Sequence, residues 1–218
     1  MTLAGFERAA RAVGLAVRGV LHPAPDPSLP EDTGTLLMLG PDEPAFWPLF
    51  AAAPEARDGR PDPLDRWSAR VVGGLAADWG GAAILPSDGP PYPPFIAWAQ
   101  QSGRAHVAPV GLLVHDEAGL LLSFRGAVAL RDRIERPAPP QCPCETCAAR
   151  PCETACPVGA MGPGQAYDVP ACRAFVASPE GVDCRTRGCL VRRACPVSAQ
   201  MHRPGDQAAF HMAAFLGQ

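Results

Sequence analysis

The sequence predicts two domains, an α/β domain over residues 1–136 and a small cysteine-rich domain over residues 137–218. Segments with helical and with strand-like apolar patterns alternate along the first part. All nine cysteines lie between residues 142 and 195, and the proline-rich segment RPAPPQCP at 136–143 stands where the composition changes. We therefore expect a linker there and a separate role for each part of the chain.

The front of the chain contains two predicted helices and two predicted strands. Apolar residues recur at helical spacing over 2–17, which predicts an amphipathic helix. The apolar run GTLLMLG at 34–40 is bounded by glycines and is typical of a buried strand, and AAILP at 82–86 is a second strand candidate. The segment 61–80 is predicted to be helical, with an aspartate as N-cap and a proline in the first turn.

Two further segments complete the front domain. PPFIAWAQQSG at 93–103 predicts a helix that ends at Gly103. VGLLVHDEAGLLLSFRGAVALR at 110–131 has two apolar runs around a DEAG turn and predicts a β-hairpin. Near the end of the chain, QAAFHMAAF predicts a C-terminal helix that packs back onto the protein.

Composition and charge exclude several classes of protein. The 218 residues are 47% hydrophobic and 19% charged, as in an ordinary soluble globular protein, and the net charge of −3 argues against a nucleic-acid partner. Charged residues interrupt the apolar runs near the N-terminus, and no segment reaches the roughly 18 apolar residues that a membrane helix needs. The sequence therefore predicts a cytoplasmic protein without a membrane partner.

The cysteine-rich segment CETCAARPCETACPVGAM at 144–161 admits four interpretations. Disulfides are disfavoured in the cytoplasm, and a catalytic thiol site needs one activated cysteine and not eight more. Two close cysteine pairs would supply a zinc site, but zinc gives no reason for the proline after the fourth cysteine. The remaining alternative is that the thiolates bind iron–sulfur clusters.

The spacing favours the iron–sulfur interpretation and leaves zinc as the alternative. Bacterial ferredoxins carry C-x2-C-x2-C-x3-C-P, in which the fourth cysteine ligates the other cluster. This chain carries C-x2-C-x4-C-x3-C-P over 144–157 and C-x4-C-x5-C-P over 184–196. Both runs end in Cys-Pro-Val, and both contain gaps longer than the ferredoxin standard. The pattern thus indicates two clusters in a ferredoxin-like domain.

These two runs, with AYDVPACRAFV between them, resemble the two-cluster domain of epoxyqueuosine reductases, which reductive dehalogenases share. In that family a lone cysteine between the runs completes the second cluster, and Cys172 stands at its place. The resemblance implies two [4Fe–4S] clusters with four ligands each. The first would take Cys144, Cys147, Cys152 and Cys195, and the second would take Cys156, Cys172, Cys184 and Cys189.

Cys142 is left over by this assignment, and we expect it to be a free thiol.

Five arginines lie among the ligands. They would either offset the negative charge of the clusters or form a docking face for an acidic electron donor. The alternative is that they form an ordinary solvated surface. These are Arg150, Arg185, Arg187, Arg192 and Arg193.

The segment 88–130 resembles, more faintly, a helix–glycine–hairpin stretch of epoxyqueuosine reductases and of the reductase that processes B12 in its trafficking. The resemblance implies a nitroreductase-like α/β (α+β) front domain that binds cobalamin against its sheet. Epoxyqueuosine reductases have an acidic proton donor before this helix, and Asp88 is the nearest candidate, although SDGPPYPP around it does not match. Asp88 as a turn residue is the alternative. Tyr92, Trp98 and His115 are candidate cofactor-binding residues, with core packing or a structural hydrogen bond as the alternative.

Three functions follow as hypotheses. In the first, the protein is an oxidoreductase in which the clusters pass electrons from a partner protein to a corrinoid or another substrate in the front domain. In the second, it is a ferredoxin-type electron carrier whose front domain docks a partner. In the third, weaker one, zinc organises an interaction module. The sequence contains no glycine-rich phosphate-binding motif to suggest a nucleotide cofactor.

Overall fold

The computed structural model describes residues 2–217 and divides them into two compact units. The first unit comprises residues 2–104 and 123–140, and the second comprises residues 105–122 and 141–217. The sequence-based division at 136/137 differs from this in two segments. Residues 105–122, assigned to the front domain, group with the cysteine-rich part, and residues 137–140, assigned to the cysteine-rich domain, group with the first unit.

A four-stranded antiparallel sheet forms the centre of the first unit. Its strand order is β1-β2-β6-β3. The strands are β1 (Leu15–Leu21), β2 (Thr35–Pro41), β3 (Ala82–Ile84) and β6 (Gly126–Leu130). Every residue of β1, β2 and β6 is buried, which explains why these strands are mostly apolar instead of alternating. The exception in β1 is Arg18, whose buried guanidinium donates to the carbonyl of Pro41. The strand predictions at 34–40 and 82–86 are confirmed.

Four α-helices complete the first unit. They are α1 (Leu3–Ala12), α2 (Phe46–Ala52), α3 (Pro63–Asp78) and α4 (Phe95–Gln101). The helix predicted over 61–80 is confirmed as α3, with its proline at the first position. Asp62 stands at the N-cap position with φ of 51°, but within residues 2–217 its side chain accepts no capping hydrogen bond. The helix predicted over 93–103 is confirmed as α4, and Gly103 follows it with φ of 74°.

The helix predicted over 2–17 is too long. Helix α1 ends at Ala12, Gly14 adopts a left-handed conformation with φ of 79°, and the chain continues directly into β1. Glycine adopts this conformation without the steric penalty that other residues pay. The apolar residues after Gly14 therefore belong to a buried strand, whose local sequence is also compatible with a helix.

The single hairpin predicted over 110–131 is wrong. The DEAG turn forms, because His115 and Gly119 exchange backbone hydrogen bonds of 3.0 and 2.9 Å. The run before the turn becomes β5 (Leu113–His115), which pairs with β4 (Ala105–Val107) in the second unit. The run after the turn becomes β6 in the sheet of the first unit. The two runs therefore pair with other strands and not with each other.

The second unit combines the β4–β5 hairpin with short helices. These are α5 (Pro143–Thr146), α6 (Val169–Ala177), α7 (Val182–Arg187), α8 (Leu190–Ala194), α9 (Pro196–Ala199) and α10 (Gly205–Leu216), with 3₁₀ turns at Pro151–Glu153 and Pro179–Gly181. Helix α10 is the predicted C-terminal helix and packs against α6 and α7. The described part of the chain is thus mixed α and β with antiparallel sheets, and none of its helices has the length and apolar character to cross a membrane.

Candidate functional site

The prolines that follow cysteines fix the direction of the chain at those cysteines. Pro196 is the first residue of α9, and Cys195 before it has an extended backbone with φ of −66° and ψ of 123°. Cys142 has almost the same conformation before Pro143, the first residue of α5. A proline suits the first helical position and disfavours helical backbone in the residue before it. These two Cys-Pro pairs therefore hold Cys142 and Cys195 just outside a helix, whereas Pro157 after Cys156 begins a turn.

Four cysteines surround a first cavity of about 330 Å³ in the second unit. They are Cys144, Cys147, Cys152 and Cys195, which we call the first cysteine set. Apolar side chains from residues 105–122, among them Val114 of β5 and Leu120 after the DEAG turn, form part of the wall. The loop from Cys147 to Arg150, which contains the extra residues of the C-x4-C gap, also lines the cavity.

The other four cysteines of the family assignment surround a second, smaller cavity of about 20 Å³. They are Cys156, Cys172, Cys184 and Cys189, which we call the second cysteine set. Every other residue that lines this cavity is apolar, including Phe175 from α6 and Met212 from α10. The structure thus brings the eight cysteines together as four and four, in the sets that the resemblance implies.

One apolar core connects the two sets. Cys152 and Cys195 of the first set are buried in it together with Met161 and Val191. Met161 and Val191 also line the second cavity. The 3₁₀ turn that contains Cys152 packs against α8, the helix of Val191. The two cavities are therefore neighbours within one core of the second unit.

The thiols lie in surroundings that disfavour their charged form. Burial, together with the neighbouring Cys142, raises the pKa of Cys144 to about 11. Burial likewise raises the pKa of Cys152, Cys172 and Cys184. Without a bound cation these four thiols are therefore protonated at neutral pH. Thiolates become favourable here when positive metal ions bind them, which couples metal binding to proton release.

The donor types of both cavities fit an iron–sulfur cluster. All nine cysteines are free thiols, and each cavity presents four of them, the ligand set that a [4Fe–4S] cluster takes. The rest of the lining is apolar in the second cavity and mostly apolar in the first, which Thr146 and Arg150 also line. The second cavity has room for little more than a water molecule, so a cluster there requires its thiol side chains to rotate. Within residues 2–217, no three Cys, His, Asp or Glu side chains converge closely enough to hold a single metal ion.

Cys142 lies beside the first set without lining its cavity. It precedes α5, is half-buried, and contacts Cys144, whose pKa it helps to raise. It also packs against the apolar core that contains Cys152. Its position agrees with a thiol outside both sets of four.

Asp88 stabilises an exposed turn after β3. Its Oδ2 accepts a hydrogen bond of 2.7 Å from the backbone N–H of Leu85, and its own N–H donates to the Leu85 carbonyl at 3.1 Å. A nearby cavity of about 190 Å³ is lined by Asp65, Ser68 and Arg125 but not by Asp88. The structure therefore gives Asp88 a turn-forming role, whereas the proton-donor role rests on the resemblance alone.

Tyr92 and Trp98 have different surroundings in the first unit. Tyr92 is 65% exposed, whereas Trp98 is buried and packs against Phe95 with ring centroids 5.3 Å apart. Neither residue lines the two cysteine cavities or the cavity beside Arg125. Their positions match an exposed loop residue and a core residue.

His115 is fully buried at the end of β5 in the second unit. Its Nδ1 accepts backbone N–H groups of Glu117 and Ala118 at 3.0 and 3.1 Å. The Asp116 carboxylate lies 3.2 Å from the same nitrogen. His115 thus stabilises the DEAG turn, which was the structural alternative for this residue.

Sequence reasoning missed the part that Gly119 and Leu120, just after the DEAG turn, play in the site. The hydroxyl of Ser198, in α9, accepts a 2.8 Å hydrogen bond from the buried N–H of Leu120, which lines the first cavity. Gly119 lies so close that a Cβ there would stand 2.4 Å from the Ser198 nitrogen. The Ser after Cys-Pro-Val carries no signal of this contact, because its partner is distant in the sequence.

Comparison with protein-family models, curated proteins and solved structures finds no match to this chain.

Proposed function

We propose that the chain is an iron–sulfur redox protein that passes electrons through two [4Fe–4S] clusters. The observation that carries this proposal is the grouping of eight cysteines into two neighbouring cavities with four thiols each. Four thiolates per site are the ligand set of a [4Fe–4S] cluster, and closely spaced clusters conduct electrons. The free state of all nine thiols supports a reducing compartment, so we propose a cytoplasmic location.

The chain's own residues would act mainly by enclosing the clusters. Each cysteine set would supply four sulfur ligands, and the apolar linings would exclude water from the sulfurs. When bound, a [4Fe–4S] cluster supplies one-electron transfer at a potential set by hydrogen bonds, charge and solvent exposure. The shared core around Met161 and Val191 would keep the two clusters adjacent.

The destination of the electrons divides the proposal into two forms. In the first form the protein is an oxidoreductase that reduces a corrinoid or another ligand held by the front domain, which the resemblance to epoxyqueuosine and B12-trafficking reductases supports. In the second it is an electron carrier whose front domain docks a partner protein. The positions of Tyr92 and Trp98, one exposed and one in the core, favour the carrier form.

Metal analysis tests the proposal. Protein purified without oxygen, or reconstituted with iron and sulfide, should be brown and contain about eight irons and eight sulfides per chain. Stoichiometric zinc with no iron after reconstitution would instead support the interaction module. Addition of cobalamin to the iron-loaded protein distinguishes the two redox forms. An unchanged cobalamin spectrum and no binding would exclude reduction of a corrinoid and support the electron carrier.

A further inference from the structure

The five arginines among the cysteines do not all face the thiols. Arg187 and Arg193 pair with Asp183, and Arg150 lies 3.6 Å from Glu153. Arg185 donates to backbone carbonyls at the end of α6. Arg192 and Arg193 are both half-buried and lie within electrostatic range of second-set thiols, Cys189 and Cys184 respectively. Arg193 is already paired with Asp183, and so we consider Arg192.

Arg192 lies on the helix that begins at Cys189 of the second set. It lies on α8 three residues after Cys189, at a spacing that places two side chains on the same face of a helix. Its Nη1 donates a 2.5 Å hydrogen bond to the carbonyl of Leu120, and Cys189 lies within electrostatic range of the guanidinium. Burial lowers the pKa of Arg192, but an arginine remains charged in proteins.

Tyr167 is brought to the second set by the start of α6. Asp168 caps this helix by accepting the N–H of Ala171 at 2.9 Å, so Tyr167 precedes the cap and Cys172 occupies the fourth helical position. Side chains at these two positions pack against each other at many helix starts. Here the Tyr167 hydroxyl donates to the Cys172 thiol, and it lies close enough to Cys189 and Arg192 to interact with their charges.

A third polar contact comes from the backbone. The N–H of Ala160 donates to Cys156 Sγ at 3.2 Å, within the turn that follows Cys-Pro-Val. Ala160 is itself held by its carbonyl, which accepts the N–H of Asp168 at 2.9 Å. Three of the four thiols in the second set thus have a hydrogen-bond donor or a cation beside them.

We infer that Tyr167 and Arg192 raise the reduction potential of the cluster held by the second cysteine set. This inference rests on the proposed function. Reduction adds one negative charge to a cluster, and hydrogen bonds to its sulfurs and a nearby cation stabilise that charge. The residues act on ligand sulfurs, so their removal alters the potential without removing a ligand.

The test is a redox titration of iron-loaded Tyr167→Phe, followed by electron paramagnetic resonance. The chain has two tyrosines, and Tyr92→Phe is therefore a matched control at an exposed position in the first unit. We expect Tyr167→Phe to lower one midpoint potential and to leave the other unchanged. The midpoint potential should fall by up to about 59 mV. For a one-electron couple this corresponds to a change of about tenfold in the ratio of reduced to oxidised cluster at a fixed potential. Tyr92→Phe should change neither potential.

Arg192 provides the second variant pair. Arg192→Met should lower the same midpoint potential as Tyr167→Phe, whereas Arg192→Lys should retain most of the wild-type value because it keeps the charge. Unchanged potentials in both Tyr167→Phe and Arg192→Met, with full iron content, would overturn the inference and leave the proposed function intact. A wild-type protein that binds no iron would overturn both.

Discussion

Cys189 and Cys195 stand at opposite ends of one short helix and line different cavities. Cys189 is the N-cap of α8 and belongs to the second set, whereas Cys195 is its C-cap and belongs to the first. Six residue steps at about 1.5 Å each place their Cα atoms roughly 9 Å apart. A five-residue helix therefore sets the spacing between the two sites.

We expect serine substitutions at the two ends of α8 to remove different clusters. Cys189→Ser should lose the cluster of the second set and Cys195→Ser that of the first, because a neutral hydroxyl replaces a thiolate ligand. Each variant should retain about four irons. The paramagnetic resonance spectra of the remaining clusters should differ, and identical residual spectra would contradict the division into sets.

Cys142 should be dispensable for iron binding. It contacts Cys144 but does not line the first cavity, so Cys142→Ser should retain about eight irons per chain. Cys144→Ser serves as the matched comparison two residues away and should lose about half of the iron. The measurement is iron and sulfide content after identical reconstitution. Loss of iron in Cys142→Ser together with retention in Cys144→Ser would assign Cys142 as the ligand.

The Ser198 hydroxyl should stabilise the second unit. Ser198→Ala leaves the buried N–H of Leu120 without its acceptor, at a cost of about 1–3 kcal/mol in the free energy of unfolding. Because Leu120 lines the first cavity, we also expect faster loss of iron from the first set. Urea unfolding and iron release measure the two effects, with the exposed Ser87→Ala as control. Equal stability of both variants would show that the contact contributes little.

Acid should weaken an ion pair of the first unit. Glu55 accepts hydrogen bonds of 2.5 and 2.9 Å from the Arg70 guanidinium, which lowers the pKa of Glu55 from 4.5 to about 2. The folded pKa is below the unfolded one, so the pair's stabilisation is fully present above about pH 5 and is lost as the pH falls through about 2. Arg70 is half exposed, so the contribution is at most about 1 kcal/mol.

Urea unfolding of Glu55→Gln at several pH values checks this expectation. The variant should be less stable than the wild type near neutral pH, and the difference should disappear as the pH falls below about 2. Glu31→Gln, at an exposed position, controls for the loss of one carboxylate. A difference between Glu55→Gln and wild type that grows as the pH falls would contradict the assigned sign.

The fold was predictable where one local pattern dominated. The glycine-bounded run at β2 and the proline-initiated helix α3 lie where their sequences predict them. The prediction failed at 110–131, because a turn between two apolar runs specifies the turn but not the partner of each run. Strand pairing is non-local, and here β6 pairs with β2, which lies far away in the sequence.

The sequence by itself determined the cysteines, their spacing and the prolines that hold Cys195 and Cys142 outside helices, since these are local properties of the chain. The tertiary structure decided which cysteines meet, because each set collects side chains from separate helices and turns. Only the tertiary structure groups the β4–β5 hairpin with the cysteines. It also brings Tyr167 and Arg192 near the second set. Those contacts depend on packing between residues distant in the sequence, which no local spacing encodes.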